Sequence, residues 1–351
     1  MAVTTGVSDR LERLRASLEE PLLVTYGVNV KYLIGFESSN AALYVDEARA
    51  ILFTDFRYAE AARAVEAVDF VQSQRALLTT VAETLDGAVA FEETALTYAG
   101  WQTLRAGGLE CVPRAGLVER LRAVKEEDEL AKIREACRIT DAVYAAFAEE
   151  KFVGRTERDL AWTMQQLFHE HGAHALAFEL IVGSGPTGAL PHGRPTDRVI
   201  EPNTTVVVDA GCYFEGYASD STRTFATGEL PDDLAQAYDV CLRAQIAGLE
   251  AMRAGTSGGD ADAVARRVIE DAGLGKKFGH GLGHGVGLAV HEAPTARPES
   301  TDVLEPGNVL SCEPGIYLEG KGGVRIEDLV HVTDGDPENL NAFTKELVTV
   351  R

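Results

Sequence analysis

Three things are scarce in this 351-residue chain, and each scarcity removes a class of protein. Its five cysteines, Cys111, Cys137, Cys212, Cys241 and Cys312, are odd in number, widely spaced and never paired as Cys-x-x-Cys. That pattern argues against a disulfide framework or a thiolate zinc site and suits a reducing cytoplasm. No apolar stretch approaches the ~18 residues of a membrane span, and the amino terminus lacks the basic-then-apolar order of an export signal. Runs of Lys and Arg are absent too, and a formal net charge of −22 opposes a phosphate backbone. The expectation is a cytoplasmic chain with neither a nucleic-acid nor a membrane partner. What is present, 45% hydrophobic and 25% charged residues, is a globular composition, and the length suggests two domains.

The first third alternates helical and strand-like patterns. A capped helix is expected from Ser8 with Leu11, Leu14 and Leu18 on one face. Short strands follow at Leu22–Val24, Ala50–Phe53 and Val89–Phe91, with helices at Asp55–Val65 and Thr94–Arg105 between them. At Lys125 the charge density jumps: Glu126-Glu-Asp-Glu129 fits the first turn of a helix, where carboxylates favour the positive dipole end. Leu130, Ile133, Cys137, Tyr144 and Phe147 continue it at helical spacing. These signals divide the chain into an α/β domain over residues 1–122 and a second domain over 123–351. A further helix starts at Thr156 with a capping box to Asp159, and two more are expected from Asp232 to about Ala254 and from Gly259 to Ala272.

The second domain places acids where a core belongs. Asp209 ends Thr205-Val-Val-Val, Asp220 precedes Thr222-Arg-Thr-Phe, Glu313 ends Val309-Leu-Ser-Cys, and Glu327 sits inside one expected strand, Val324 to Val330. A glycine-rich segment, Gly279 to Leu288, adds His284. Four carboxylates gathered out of water repel one another and need positive charge, and only Arg325 is near in sequence. Divalent metal is the economical counter-charge. Oxygen-rich donors with one imidazole suit two ions about 3.5–4 Å apart that share carboxylates, with Mn, Co or Zn favoured over copper. Period-two alternation puts Arg325 and Glu327 on one strand face. Other features are set aside: His169, His171 and His174 read as a solvated helix end, and Gly315 to Lys321 reads as a β-turn rather than a phosphate loop, because Gly322 stands where Ser or Thr would hold magnesium.

Five separated motifs then match one family in order and spacing: Val-Val-Val-Asp209-Ala-Gly with Asp220-Ser-Thr-Arg, Gly-His284-Gly-Val-Gly, Val-His291-Glu, Cys-Glu313-Pro-Gly-Ile-Tyr and Val-Arg-Ile-Glu327-Asp. Together they resemble the metal-dependent peptidases that include prolidase, aminopeptidase P and methionine aminopeptidase. Asn29 to Phe36 and Thr54-Asp-Phe-Arg-Tyr58 are similar to the amino-terminal domain that prolidase, aminopeptidase P and creatinase share. The resemblance implies an α/β (α+β) fold: an N-terminal creatinase/prolidase-type α/β domain followed by a C-terminal pita-bread catalytic domain.

It also implies roles. Asp209, Asp220, His284, Glu313 and Glu327 bind two metals, manganese first and cobalt or zinc next, with Asp220 and Glu327 bridging and Glu313 as general base. His291 contacts the substrate and its tetrahedral intermediate, His192 helps orient the scissile bond, Arg325 acts beside the last ligand, and His280 stands behind the ligands. Phe178 and Ile181 resemble residues of a proline pocket, and Arg297 lies where prolidases hold the substrate carboxylate, although Ala-Pro-Thr-Ala-Arg297-Pro departs from their wording. The implied enzyme is a homodimeric Xaa-Pro dipeptidase acting on Xaa-Pro dipeptides or short proline-containing peptides. Aminopeptidase P, acting on longer peptides, is the alternative, and a non-catalytic peptide-binding relative is a third reading that the complete donor set disfavours.

Overall fold

The computed structural model describes residues 3–351, apart from the side chains of residues 3–6 and 8. The chain separates into two compact units, Met1–Arg122 and Ala123–Arg351.

In the first unit six strands form one mixed sheet, in the order Asp69–Ser73, Ala50–Asp55, Ala41–Val45, Leu22–Val24, Ala88–Glu92, Glu110–Arg114. The three expected strands are there, and their apolar side chains are buried. The sequence pattern does not mark the strands Ala41–Val45, Asp69–Ser73 and Glu110–Arg114 or the helices Gly27–Ile34, Leu77–Thr84 and Leu117–Ala123. The first helix runs Val3–Arg15, so Leu11 and Leu14 are buried on it while Leu18 falls past its end; a cap by the Ser8 side chain lies outside the described residues. The helix expected from Asp55 is a 3₁₀ turn, Phe56–Tyr58, running into Ala59–Arg63, and Asp55 caps it by accepting from the Arg57 N–H. Leu77–Thr84 and Tyr98–Ala106 sit between strands as an α/β alternation requires, and Leu117–Ala123 follows the last strand.

The two larger sheets of the second unit are each backed by a pair of helices, and a three-stranded sheet and a two-stranded hairpin accompany them. Helices Glu127–Phe147 and Glu157–Glu170 pack with the sheet ordered Val348–Thr349, Ser221–Ala226, Thr205–Ala210, Ile181–Ser184. Both begin in capping boxes, Glu126 with Glu129 and Thr156 with Asp159, which satisfy amide protons that a helix start leaves unpaired. Helices Asp232–Ala251 and Gly258–Asp271 pack with the sheet ordered Glu292–Ala296, Gly283–Gly285, Val309–Cys312, Asp328–His331, Glu338–Asn339. The near phosphate loop is the turn of a hairpin, Gly315–Leu318 with Gly322–Arg325.

One strand departs from its pattern. Val324 to Val330 is two strands: Gly322–Arg325 pairs in the hairpin, and Asp328–His331 pairs with Val309–Cys312. The interruption falls at Ile326 and Glu327, and partners outside the ladder satisfy its backbone. The Glu327 N–H donates to Thr222 O, and its carbonyl accepts from Arg223 Nη1 at 2.6 Å and Ser221 Oγ at 3.1 Å. The facing still holds, since Val324 and Ile326 are in the core while Arg325 and Glu327 face a cavity.

No helix is long and apolar enough to cross a membrane, among the described residues. Few acids are buried, so the excess of 55 Asp and Glu over 33 Lys and Arg charges the surface, and like charges at close range oppose compaction. Salt shortens the reach of that repulsion. Raising KCl from about 0.1 M to about 2 M is therefore expected to raise the melting temperature by roughly 5 °C or more. Differential scanning calorimetry checks it, and a flat or falling midpoint contradicts the surface-repulsion account.

Candidate metal centre

Every functional side chain expected from the sequence lines one cavity of about 450 Å³ in the second unit. The carboxylates arrive from both sheets. Asp209 lies on Thr205–Ala210 directly across from Thr222, and Asp220 enters the paired strand Ser221–Ala226. Glu313 leaves the end of Val309–Cys312 and Glu327 occupies the strand break described above. His284 sits on Gly283–Gly285, squeezed between two neighbouring strands. That closeness requires glycine at 283, where an added Cβ would lie 1.8 Å from Ser311 O.

The donors converge. One ligand atom each from Asp220, His284 and Glu327 lies within 4.8 Å of the others. His284 Nε2 is 3.8 Å from Asp220 Oδ2 and 3.3 Å from Glu313 Oε1. His284 Nδ1 faces Gly285 O at 3.2 Å, which turns Nε2 into the cavity. Ser311 Oγ ties the two neighbours together: it accepts from the His284 N–H at 3.1 Å and donates to Glu313 Oε1 at 3.0 Å. Asp209 lines the same cavity, held by Arg325 Nη2 on Oδ2 at 2.5 Å.

The electrostatics of this set call for cations. Burial, then the charge of Asp209, pushes the Asp220 carboxyl well above the usual range, and burial followed by the charge of Asp220 does the same to Glu327. Asp209 is also raised by burial despite Arg325. The His284–Glu313 pair behaves oppositely. Burial works against both charges, but the hydrogen bond and charge between them win, raising His284 to about 9 and lowering Glu313 to about 2. Asp209 Oδ1 is buried with no hydrogen-bond partner among the described residues, an acceptor left over in a site rich in acceptors. Four carboxylates beside the buried Arg325, an orphaned oxygen and an imidazole nitrogen turned into the cavity, which a cation could claim by displacing its proton, fit divalent cations, and these five residues are the ones that would hold them.

Arg325 is 3% exposed and serves as a fork. Nε donates to Thr222 Oγ1 at 3.0 Å, Nη1 to Pro191 O at 2.9 Å and to Tyr317 OH at 3.0 Å, and Nη2 to Asp209. Thr222 passes the link on by donating to Glu327 Oε2 at 2.7 Å. Tyr317 OH lies 2.9 Å from His280 Nε2, whose Nδ1 faces Gly281 O at 2.8 Å. Burial lowers the His280 pKa, so a neutral ring accepting from Tyr317 satisfies the whole chain.

Two histidines remain open to the cavity. His291 and His284 have ring centroids 4.2 Å apart, and burial together with the charge of His284 lowers the His291 pKa. His192 rides on the loop after Gly185–Thr187, next to the Pro191 carbonyl that Arg325 grips. Half-buried Phe178 and Ile181 supply apolar wall, and exposed Arg297 stands on the lining. The histidines set aside lie elsewhere: His169, His171 and His174 are exposed, and His174 Nδ1 accepts from the Glu215 N–H.

Sequence reasoning missed supporting side chains. Glu157, fully buried, accepts from the N–H and hydroxyl of both Ser184 and Thr196, clamping the two ends of the loop that carries His192. Its only local signal is membership of a helix's first turn. Tyr317 and Thr222 stood inside recognised motifs, but their role is visible only once Arg325 is seen between them.

Comparison with known proteins shows the family. Residues 131–334 match Metallopeptidase family M24, and residues 10–124 match the Creatinase/Prolidase N-terminal domain. The solved Xaa-Pro dipeptidase from Bacillus anthracis superposes with a TM-score of 0.94 at 35% identity, covering 98% of this chain and 100% of that one. The X-Pro aminopeptidase from Thermotoga maritima gives a TM-score of 0.89 at 30% identity, covering 98% and 99%. The Xaa-Pro dipeptidase of Pyrococcus furiosus is 38% identical over 232 residues, which are 66% of this chain and 67% of that protein.

Proposed function

This chain belongs to metallopeptidase family M24, and on that premise we propose that it is an Xaa-Pro dipeptidase holding two divalent cations, manganese by preference. The observation that carries the reading is the convergence of Asp209, Asp220, His284, Glu313 and Glu327 on one cavity of about 450 Å³, at the small end of ligand sites and suited to a dipeptide. Bound there, the cations would supply a water acidic enough to attack at neutral pH and would polarise the scissile carbonyl.

The protein's own groups then divide the work. Glu313, an ionised carboxylate on the cavity wall, takes the proton from the attacking water and returns it to the leaving nitrogen. His291, held neutral, donates a hydrogen bond to the oxygen on which negative charge develops, and His192 approaches from the opposing loop to orient the scissile bond. A proline nitrogen in peptide linkage has no N–H, so recognition falls to ring shape, and Phe178 with Ile181 provides the apolar wall for it. Arg297 supplies positive charge for the free carboxylate of a dipeptide. We place the boundary between an amino-terminal accessory domain and this catalytic domain after residue 122, and the working assembly is a cytoplasmic homodimer, which size-exclusion chromatography giving only monomer would exclude.

The test is a comparison of manganese-loaded protein on Ala-Pro and on a longer peptide beginning Ala-Pro. The dipeptide is expected to be cleaved at least about tenfold faster by kcat/KM, because a carboxylate directly after proline is what Arg297 would pair with. Preference for the longer peptide would transfer the assignment to aminopeptidase P. No cleavage of either, with manganese bound, would end the peptidase reading.

A further inference from the structure

We propose that Lys125 is a positioning residue for His291, acting through the buried carboxylate of Glu292. The inference rests on the peptidase reading for the role of His291, but its geometry stands apart from that reading. Lys125 Nζ lies 2.8 Å from Glu292 Oε1, and the two side chains are 1% and 4% exposed. Neither lines the cavity. Lysine is among the residues least often buried, and a buried ion pair gains little over two apolar side chains of the same size, so stability alone is a poor reason for this one. What such a pair does supply is a fixed geometry.

The geometry it fixes is that of the turn between the two cavity histidines. Glu292 follows His291 directly and stands opposite Gly285 in the antiparallel pairing, so the turn leaves just after His284 and returns at His291. Glu292 reaches back into that turn, where its Oε2 accepts from the Ala289 N–H at 3.3 Å. The turn backbone also packs directly against the ion pair. A Cβ at Gly287 would lie 2.3 Å from Glu292 Oε1 and 3.1 Å from Lys125 Cε, so glycine alone lets the chain approach this closely. Gly287 then holds its place with two more bonds, donating to Ala289 O and accepting from the Ala218 N–H.

Lys125 is itself anchored. Its backbone N–H donates to Gly307 O at 2.8 Å, and Asn308 Nδ2 donates to Ala123 O at 2.9 Å. Gly307 and Asn308 lead into Val309–Cys312, the strand that ends at Glu313. The lysine head group thus refers the His291 turn to the same strand that presents Glu313, and the distance from imidazole to general base is set through Lys125 and Glu292.

The experiment replaces the pair with an apolar one, Lys125→Met/Glu292→Leu, in manganese-loaded protein. We expect a folded protein with the parent's metal content whose kcat on Ala-Pro is at least about tenfold lower, with KM changed less than about threefold. In a His291→Ala background the same swap is expected to change kcat by less than about twofold, because it acts through a group already gone. Independently of activity, the His291 ring C–H resonance of the metal-free protein, identified by its loss in His291→Ala, should shift or broaden in the swap. The proposal is overturned by a swap that keeps the parent's kcat, by an undiminished loss in the His291→Ala background, by metal content falling in step with kcat, or by an unmoved His291 resonance. If the apolar swap does not fold, Lys125→Arg, which keeps the charge on a head group of different shape, is read by the same measurements against the same outcomes. A parent protein that hydrolyses neither Ala-Pro nor the longer peptide refutes the peptidase reading instead, and the resonance alone then decides whether the ion pair places His291.

Discussion

Asp220→Ala is expected to lower kcat/KM on Ala-Pro by on the order of a thousandfold and to strip metal from the site, since it deletes an electrostatic group at the reacting centre. The same position carries an opposite expectation for stability. In the metal-free protein burial and the charge of Asp209 push the Asp220 carboxyl well above its ordinary range, so its ionised form is a burden on the fold. Asp220→Asn, which keeps the shape and drops the charge, should therefore melt no lower than the parent in chelator, and should lack the rise in midpoint that manganese gives the parent.

The sign follows from proton counting. A carboxyl whose folded pKa lies above its unfolded value holds more protons in the folded state, so stability falls as pH rises through the raised value. The metal-free parent is expected to lose stability from mildly acidic pH toward neutrality, and metal-loaded protein is expected to be relieved of that loss because the cations, not protons, then balance Asp209, Asp220 and Glu327. Calorimetry across pH with chelator and with manganese decides it. An Asp220→Asn variant that retains full metal, or that is destabilised equally in both conditions, would contradict the role assigned to Asp220.

Much of this site was legible because its chemistry conflicts with its surroundings. An acid at the end of Thr205-Val-Val-Val or Val309-Leu-Ser-Cys breaks the apolar pattern where a core residue is due, and four such breaks point to a shared counter-charge. The helix starts at Glu126 and Thr156 were legible for a similar reason, since capping is a local matter decided within four residues. The supports were not legible. Lys125 meets Glu292 across 167 residues of sequence, and Arg325 meets the Pro191 carbonyl across 134. No periodicity encodes a side chain that bonds to a distant backbone carbonyl. The interruption at Glu327 was missed for the same cause: the run from Val324 to Val330 has the composition of one strand, and its division is stabilised by Arg223 and Ser221 from a different sheet. Ser8 misled in the other direction, as a good capping residue that falls within a helix already begun at Val3.

The second large effect is expected at Arg325, whose four donor contacts tie Asp209 to the loop of His192. Arg325→Met leaves the Asp209 carboxyl without its partner, either carrying an unpaired charge or taking up a proton, and removal of one member of a buried pair typically costs about 3–5 kcal/mol. The variant is expected to lose that much in urea unfolding without metal, and to regain part of it with manganese, because cations also neutralise Asp209. Arg325→Lys separates charge from shape. An ammonium is one point of donation, and a single point cannot span Asp209 Oδ2, Thr222 Oγ1, Pro191 O and Tyr317 OH, which the planar guanidinium reaches together. Stability in the lysine variant should therefore stay close to the parent while KM for Ala-Pro rises by roughly tenfold, as the His192 loop loses its anchor at Pro191 and substrate is held less well before reaction. A lysine variant with the parent's KM would show that charge alone was required at this position, and that the fork does not fix the loop.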